Sequence, residues 1–170
     1  MTAGVAPVAG SRARLGFAVA GLGLVLDQAT KHWVLDVADL GRTGPLAIAP
    51  FADLRLVWNA GISYGLLQQN SDYGRWLLVG LSLAAAVGLA WWLTRATGII
   101  VALSVALILS GAIGNAIDRA IYGAVIDFVY IYTVDRAHSW YVFNLADAWI
   151  VAGVVGLLYD SIFVGRRVSS

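Results

Sequence analysis

The chain has 170 residues, of which 60% are hydrophobic and only 12% charged, and its mean hydropathy is +0.79. This composition is typical of a polytopic membrane protein and excludes an ordinary soluble domain. The formal net charge of +1 gives no indication of nucleic-acid binding. There is no cysteine, and all ten acidic residues are aspartates. We therefore expect no metal, no cofactor and no cysteine nucleophile, and any carboxylate chemistry must use aspartate.

Long apolar segments predict an all-α membrane protein with four transmembrane helices. The hydrocarbon core of a bilayer is about 30 Å thick, so a helix needs roughly 20 apolar residues to cross it. The predicted spans are residues 14–34, 76–94, 97–117 and 143–164. Together they make residues 1–170 a single integral membrane domain.

The first predicted span has an alternative interpretation. Arg12 and Arg14 precede a short apolar run, as in a secretory signal peptide that is later removed. However, no convincing small-x-small cleavage site follows, and Asp27 lies four residues before Lys31. That spacing predicts an ion pair on one face of a helix that continues into the headgroups. We therefore expect the first segment to be retained as a span.

Four spans place both termini on one side of the membrane. The basic residues that flank spans, Arg95 in a short turn and the two clustered terminal pairs, favour the cytoplasmic side for the termini. The adjoining ends of the first, third and fourth spans then share the extracytoplasmic face with the loop before the second. The polar residues expected to converge there are Asp27, Asn59, Asn115, Asp118, Asp127, Asn144 and Asp147. Such convergence is what a site between packed helices requires.

The region of residues 36–72, between the first two spans, predicts a small β-hairpin on the extracytoplasmic membrane surface. Alternating apolar residues predict one strand at residues 54–58 and a second at 62–66, with turn residues at 59–61. Residues 118–142 are rich in tyrosine and tryptophan, side chains typical of the membrane interface. They predict a partly embedded loop over the site.

Aspartates beside the last apolar segments are candidates for a functional site, because ionisable groups are costly to keep at a membrane boundary. Asp118 is followed directly by Arg119, which predicts a structural ion pair closing the third helix. Asp127 and Asp147 have apolar neighbours and no adjacent cation, and apolar flanks raise a carboxyl pKa by desolvation. If the two face each other, the pair holds one proton and can both activate water and polarise a carbonyl. The alternative is that two interfacial aspartates merely cap helices.

Four blocks of sequence resemble, in order, the signature blocks of the signal peptidase II (lipoprotein signal peptidase) family. They are Asp27 to Lys31 (DQATK), Asn59 to Gly65 (NAGISYG), Gly114 to Arg119 (GNAIDR) with Tyr122 to Phe128 (YGAVIDF), and Phe143 to Asp147 (FNLAD). The resemblance implies a bacterial inner-membrane aspartic endopeptidase that removes signal peptides from prolipoproteins, cutting just before a cysteine modified with diacylglyceryl. It also implies four helices with an extracytoplasmic β-cradle. We expect a monomer in contact with membrane lipids.

The resemblance also assigns roles to single residues. The catalytic dyad of the family falls on Asp127 and Asp147. The positions that shape the site and help to hold the substrate fall on Asn115, Asp118, Arg119 and Asn144, and Asp27 and Asn59 match further polar positions nearby. The chain departs from the family pattern at residues 62–64 and at Tyr130, where an acid is often found. These departures affect the expected loop details and substrate preference, and leave the chemistry unchanged.

Two other classes of protein could carry the same aspartates. In a small transporter or proton-conducting protein they would bind or relay cations, and in a non-catalytic assembly factor they would hold helices together. Transporter sites usually lie near the midplane of the membrane, on interrupted helices in repeated halves. Here the acids cluster at one interface and no internal repeat is visible, which favours the peptidase.

Overall fold

The structure, a computed structural model, describes residues 9–61 and 72–164. Five α-helices and three β-strands follow one another along this part of the chain, and two of the helices continue into short π-helical segments. In chain order the elements are α1 (Ala9–His32, continued by Trp33–Val37), α2 (Leu40–Thr43), β1 (Leu46–Ala49), β2 (Ala52–Asn59), α3 (Asp72–Thr94), α4 (Ile99–Tyr122), β3 (Val125–Ile131) and α5 (Leu145–Tyr159, continued by Asp160–Val164).

Three helices in the described residues are long and apolar enough to cross a membrane. They are Tyr73–Thr94, Ile99–Tyr122 and Leu145–Phe163, and they correspond to the second, third and fourth predicted spans. Helix α1 is not among them. Its charged residues leave only the stretch from Leu15 to Leu26 uncharged, which is shorter than the roughly 20 residues that a span needs. The predicted count of four spans is therefore not confirmed.

Helix α4 lies at the centre of the helix bundle and packs against α1, α3 and α5. Small apolar residues on α4, among them Ala102, Val105 and Ala106, form a buried core with Leu93 of α3. The approach to α5 is closest at Gly111, where an added Cβ would collide with the backbone oxygen of Ala146. Glycine at this position lets the two backbones approach as closely as they do, as is common where membrane helices pack.

The strand predicted at residues 54–58 is present as part of β2, whereas its predicted partner at residues 62–66 lies outside the described residues. The partners of β2 that the structure describes are β1 and β3, in an antiparallel sheet of order β1-β2-β3. The pairing of β2 with β3 sets Asn59 opposite Val125. The end of β2 is thereby brought next to the segment that carries Asp127.

The prediction of a loop over residues 118–142 is wrong for its first half. Helix α4 continues to Tyr122 and ends at Gly123, whose φ of 81° is a left-handed conformation that glycine adopts without strain. Strand β3 then begins at Val125. The run Val125–Ile131 alternates between the two faces of the sheet. Its Tyr130, one of the aromatic residues that suggested a membrane-interface loop, also favours strands, as do its valines and isoleucines.

The sheet rests on the extension of α1. Ile126 and Phe128 of β3 form a second buried core with Val34 and Leu40. Because neighbouring residues of a strand point to opposite faces, Asp127 is directed away from this core. It therefore faces the ends of α4 and α5, where the other polar residues lie.

Candidate active site

All eight predicted site residues lie in one region, at the end of the bundle where the sheet meets the helices. Each element contributes residues from its terminal turn or edge. They are Asp27 on α1, Asn59 at the end of β2, Asn115, Asp118 and Arg119 on the last turns of α4, Asp127 in β3, and Asn144 and Asp147 at the start of α5. Asp27, Asp118 and Asn144 are fully buried. Charged and amide groups at such depth need partners, and the structure supplies them.

Asp127 accepts two amide hydrogen bonds, one on each carboxylate oxygen. Asn59 Nδ2 donates to Oδ2 at 2.9 Å and Asn144 Nδ2 donates to Oδ1 at 2.7 Å. Burial raises the pKa of Asp127 to about 7; the two amide donors oppose the rise, and the neighbouring carboxylate of Asp147 adds to it. A carboxyl group in this state can gain or lose a proton near neutral pH.

Asp147 is held by the first turn of α5. The side chain of Asn144, the N-cap residue, accepts from the Asp147 backbone N–H at 3.0 Å, and Asp147 Oδ2 accepts from the Asn144 N–H at 3.2 Å. This reciprocal pair is a capping box. Asn115 Nδ2 donates to the other oxygen, Oδ1, at 2.8 Å. Asp147 thus does cap a helix, as the alternative interpretation proposed, whereas Asp127 lies within a strand.

Three asparagine side chains direct their NH2 groups toward the two carboxylates. Asn144 Nδ2 donates to Asn115 Oδ1 at 3.1 Å as well as to Asp127. Asn59 Oδ1 accepts from the backbone N–H of Gly61 at 3.1 Å, which leaves its NH2 group for Asp127. An amide has one accepting and one donating end, so these contacts turn the donating ends toward the carboxylates.

Beneath the asparagines lies a buried ionic cluster. Lys31 Nζ is 2.8 Å from Asp27 Oδ2 and 2.7 Å from Asp118 Oδ2. The predicted pair of Asp27 with Lys31 is therefore present, but it lies inside the protein and not among the headgroups, with Lys31 only 1% exposed. The second carboxylate oxygen of Asp27 accepts from the Ala146 N–H at 2.9 Å, which ties α1 to the start of α5.

The predicted ion pair of Asp118 with Arg119 is wrong. Consecutive residues of a helix point about 100° apart, so neighbours in sequence do not face each other. Asp118 points into the bundle toward Lys31, and its carboxylate also accepts from Gln28 Nε2 at 3.1 Å and from the Ile126 N–H at 3.2 Å. It thereby joins α1, α4 and β3.

Arg119 faces the other side of the region. Its Nη2 donates to the Gly61 carbonyl at 3.2 Å, and its charge lies within electrostatic reach of Asp147 and Asp127. Its Nε atom is buried, and no partner for it lies in residues 9–61 or 72–164. Arg119 therefore adds positive charge beside the two aspartates.

Sequence reasoning paired Lys31 with Asp27 but did not include Lys31 or Gln28 among the site residues. Gln28 donates to both Asp27 and Asp118, and Lys31 bonds to Asn115 Oδ1 at 3.2 Å in addition to its two carboxylates. The signal that could have found Lys31 is its place four residues after Asp27, on the same helical face. Its attraction to the ends of α4 and α5 depends on helix packing.

A groove of about 600 Å³ leads from the two aspartates along the first turns of α5. Its walls are mostly apolar. It is lined by Asp127, Trp140, Tyr141, Val142, Phe143, Asp147, Ala148, Ile150, Val151 and Ala152. Val151 is largely exposed on the outer face of α5, where a membrane-spanning helix meets lipid. An apolar molecule could therefore reach the carboxylates from the side of the bundle.

The described residues offer no group of three or more His, Cys, Asp or Glu that could hold a metal ion. The chemistry that the arrangement can perform is proton transfer between two carboxyl groups and a bound molecule. Asn144 bonds to both carboxylates, and Asp127 titrates near neutral pH. These are the properties of a general acid–base site.

Three helices long and apolar enough to cross a membrane, with a polar cluster at one end of the bundle, define an integral membrane protein. Two solved structures, both described as bacterial membrane enzymes, have the same fold. One superposes with a TM-score of 0.73 at 22% identity over 87% of this chain and 90% of that chain. The other gives a TM-score of 0.72 at 21% identity, covering 88% and 93% respectively.

Sequence comparison then identifies the family. The profile of the signal peptidase (SPase) II family matches residues 19–163, and the chain belongs to this family. A lipoprotein signal peptidase from Methylobacterium radiotolerans is 56% identical over 149 residues, covering 88% of this chain and 86% of the relative. One from Nitrobacter hamburgensis is 49% identical over 150 residues, covering 87% and 92%. The resemblance inferred from the four signature blocks is confirmed.

Proposed function

We propose that this protein is an aspartic endopeptidase that cleaves the signal peptide from prolipoproteins, just before a cysteine that carries diacylglyceryl. Membership of the signal peptidase II family and relatives named lipoprotein signal peptidase support the substrate class. The observation that carries the catalytic assignment is the position of Asn144. Its side chain donates to Asp127 and its backbone N–H donates to Asp147, so one residue holds both carboxyl groups.

The pair acts with one carboxyl ionised and the other protonated. The ionised carboxylate removes a proton from water as the water oxygen attacks the scissile carbonyl carbon, and the protonated carboxyl donates to the carbonyl oxygen. The tetrahedral intermediate then collapses, the carbon–nitrogen bond breaks, and the leaving amine takes a proton from the pair. No covalent bond to the enzyme forms. The pKa of Asp127, raised by burial to about 7, suits this exchange of protons.

The other polar residues position the pair and the substrate. Asn59, Asn115 and Asn144 direct N–H groups at the carboxylates. Asp27 and Asp118 anchor the helices that carry them. Arg119 supplies a cation beside the two aspartates, which suits it to bind a peptide carbonyl of the substrate.

The lipid-modified substrate enters sideways from the membrane. The groove beside α5 is apolar and ends at the two aspartates. Acyl chains can remain in hydrocarbon while the peptide bond reaches the carboxylates, so the substrate need not leave the bilayer.

The protein acts as a monomer in the bacterial inner membrane, with cytoplasmic termini and the site on the extracytoplasmic face. Helix α1 also crosses the membrane, which brings the number of spans to four. The 24 residues of α1 would measure about 36 Å, and its Asp27 and Lys31 are sheltered inside the bundle. Burial against other helices is how membrane proteins accommodate charges within a span.

The test is cleavage of a diacylglyceryl-modified precursor by the purified protein in detergent, with no ion gradient. We expect wild-type protein to cleave, and Asp127→Asn and Asp147→Asn each to abolish cleavage while still inserting and folding. Asp36→Asn is the matched control, because the Asp36 side chain is 72% exposed. Full activity in either dyad variant would refute the catalytic pair. A wild-type protein that moves protons or cations across vesicles and leaves the precursor intact would favour the transporter.

A further inference from the structure

The ammonium group of Lys31 is surrounded by acceptors inside the protein. An ammonium group has three N–H donors and no acceptor. The Lys31 Nζ contacts three acceptors, at 2.8 Å to Asp27, 2.7 Å to Asp118 and 3.2 Å to Asn115 Oδ1. The two carboxylates more than balance its charge. The third bond therefore points to a role other than charge neutralisation.

The bond to Asn115 determines which way that amide faces. Because the ammonium can only donate, Asn115 must turn its oxygen toward Lys31 and its NH2 group away from it. The NH2 group then donates to Asp147 Oδ1 at 2.8 Å. With the amide reversed, its oxygen would face the Asp147 carboxylate, and two acceptors would oppose each other.

The same oxygen of Asn115 accepts from Asn144 Nδ2 at 3.1 Å, and that NH2 group also donates to Asp127. From Lys31 the donors run through the amide of Asn115 to Asp147. The oxygen that Lys31 holds in place is also an acceptor for the NH2 group of Asn144, which donates in turn to Asp127. Buried networks of this kind are rigid only when each member is satisfied.

We infer that Lys31 is a positioning residue for Asp127 and Asp147, acting through the amide of Asn115 and making no contact with the substrate. This inference rests on the proposed function, since the proposed function is what makes Asp127 and Asp147 the catalytic pair. It predicts that loss of Lys31 affects the chemical step more than substrate binding.

Replacing Lys31 alone would leave Asp27 and Asp118 buried without a cation, which can prevent folding. The double variant Lys31→Met/Asp118→Asn lessens this cost, because the cluster carries one net negative charge before and after the change and only Asp27 is left without its cation. Arg42→Met is the control for loss of a cation, since the Arg42 side chain is 84% exposed and pairs with Asp39 at the surface.

In the detergent cleavage assay we expect the double variant to lose about 10- to 100-fold in kcat, since a small misplacement of catalytic groups has effects of this size. KM should change by less than about threefold. Arg42→Met should match wild type. Asn115→Ala should lose at least as much activity as the double variant. The triple variant, which adds Lys31→Met/Asp118→Asn to Asn115→Ala, should be no less active than Asn115→Ala alone, because the effects of residues that act through one another do not add.

Thermal unfolding shows whether the double variant is folded, and the Asp127→Asn and Asp147→Asn variants test the proposed catalytic pair separately. A folded double variant with wild-type kcat overturns the inference, and so does a further loss when the changes are added to Asn115→Ala. A double variant that does not fold assigns Lys31 to stability alone and also overturns it. If Asp127→Asn or Asp147→Asn retains activity in the same assay, the proposed catalytic pair fails instead.

Discussion

Asn144 performs two tasks that a pair of substitutions can separate. Its side-chain oxygen caps α5 by accepting from the Asp147 N–H at 3.0 Å, and its NH2 group donates to Asp127 at 2.7 Å. Asn144→Ala removes both interactions. Asn144→Ser keeps the cap, because serine is as good an N-cap residue as asparagine, but its shorter side chain lacks the amide that reaches Asp127.

The loss of stability can be worked out from these contacts. Removing the cap costs about 1 kcal/mol, and removing a hydrogen bond to a charged group costs about 1.5 to 3 kcal/mol. We therefore expect Asn144→Ala to lower the free energy of unfolding by about 2.5 to 4 kcal/mol, and Asn144→Ser to recover about 1 kcal/mol of this. Thermal unfolding in detergent measures the difference between the two variants.

Asn144→Ala and Asn144→Ser should differ in stability but not in activity. Both variants lose the bond that places Asp127, so both should lose roughly 100-fold in kcat on a diacylglyceryl-modified precursor. Their pH–activity profiles should also move to higher pH, because the Asn144 amide is one of the donors that lower the pKa of Asp127. If Asn144→Ser recovers activity together with stability, Asn144 acts only as a helix cap and the reasoning is refuted.

Two further predictions concern stability. Burial raises the pKa of Asp127 to about 7 in the folded protein, against 3.8 for an unperturbed aspartate, so the folded state holds the proton more tightly and stability falls as pH rises from about 4 to about 7. The fall due to Asp127 should be no more than about 4 kcal/mol, and the slope should be smaller in Asp127→Asn, as measured by unfolding across this pH range; an equal slope in the variant would contradict it. Gly111→Ala should lower stability by about 1 to 3 kcal/mol, because the new Cβ meets the Ala146 oxygen. Gly88→Ala has open space around it and should be neutral, so equal losses in the two variants would argue against close packing of α4 on α5.

Sequence patterns predicted the parts of the fold that depend on local composition. The two spans that match α3 and α4 are long runs without charge, and the span that matches α5 carries its charges, Asp147 and Asp160, near its ends, so apolar length identifies all three. The strand at residues 54–58 was visible as an alternation of apolar residues, whereas β3 was not recognised. Its residues are buried on both faces of the sheet near Asp127, so they show little alternation between apolar and polar side chains.

Partners of buried charges were the least predictable feature. Asp118 was assigned to Arg119 because the two are adjacent in sequence, but on α4 they point in different directions. The actual partner, Lys31, lies 87 residues earlier and is held by Asp27 on the same helix. The choice of ion-pair partner among charged side chains that are distant in sequence depends on how α1 packs against α4. A local sequence pattern does not show how two helices pack.

The sequence by itself determined the class of protein and the residues of the candidate site. Apolar length fixes where helices can cross a membrane, and aspartates that are costly at its boundary stand out against an apolar background. Only the tertiary structure decided how those residues act on one another. Asn144 bonds to both Asp127 and Asp147, and Lys31 orients Asn115, because packing brings the ends of α1, α4, β3 and α5 within hydrogen-bond distance. Hydrogen bonds are short and directional, so their network follows from three-dimensional geometry and not from order along the chain.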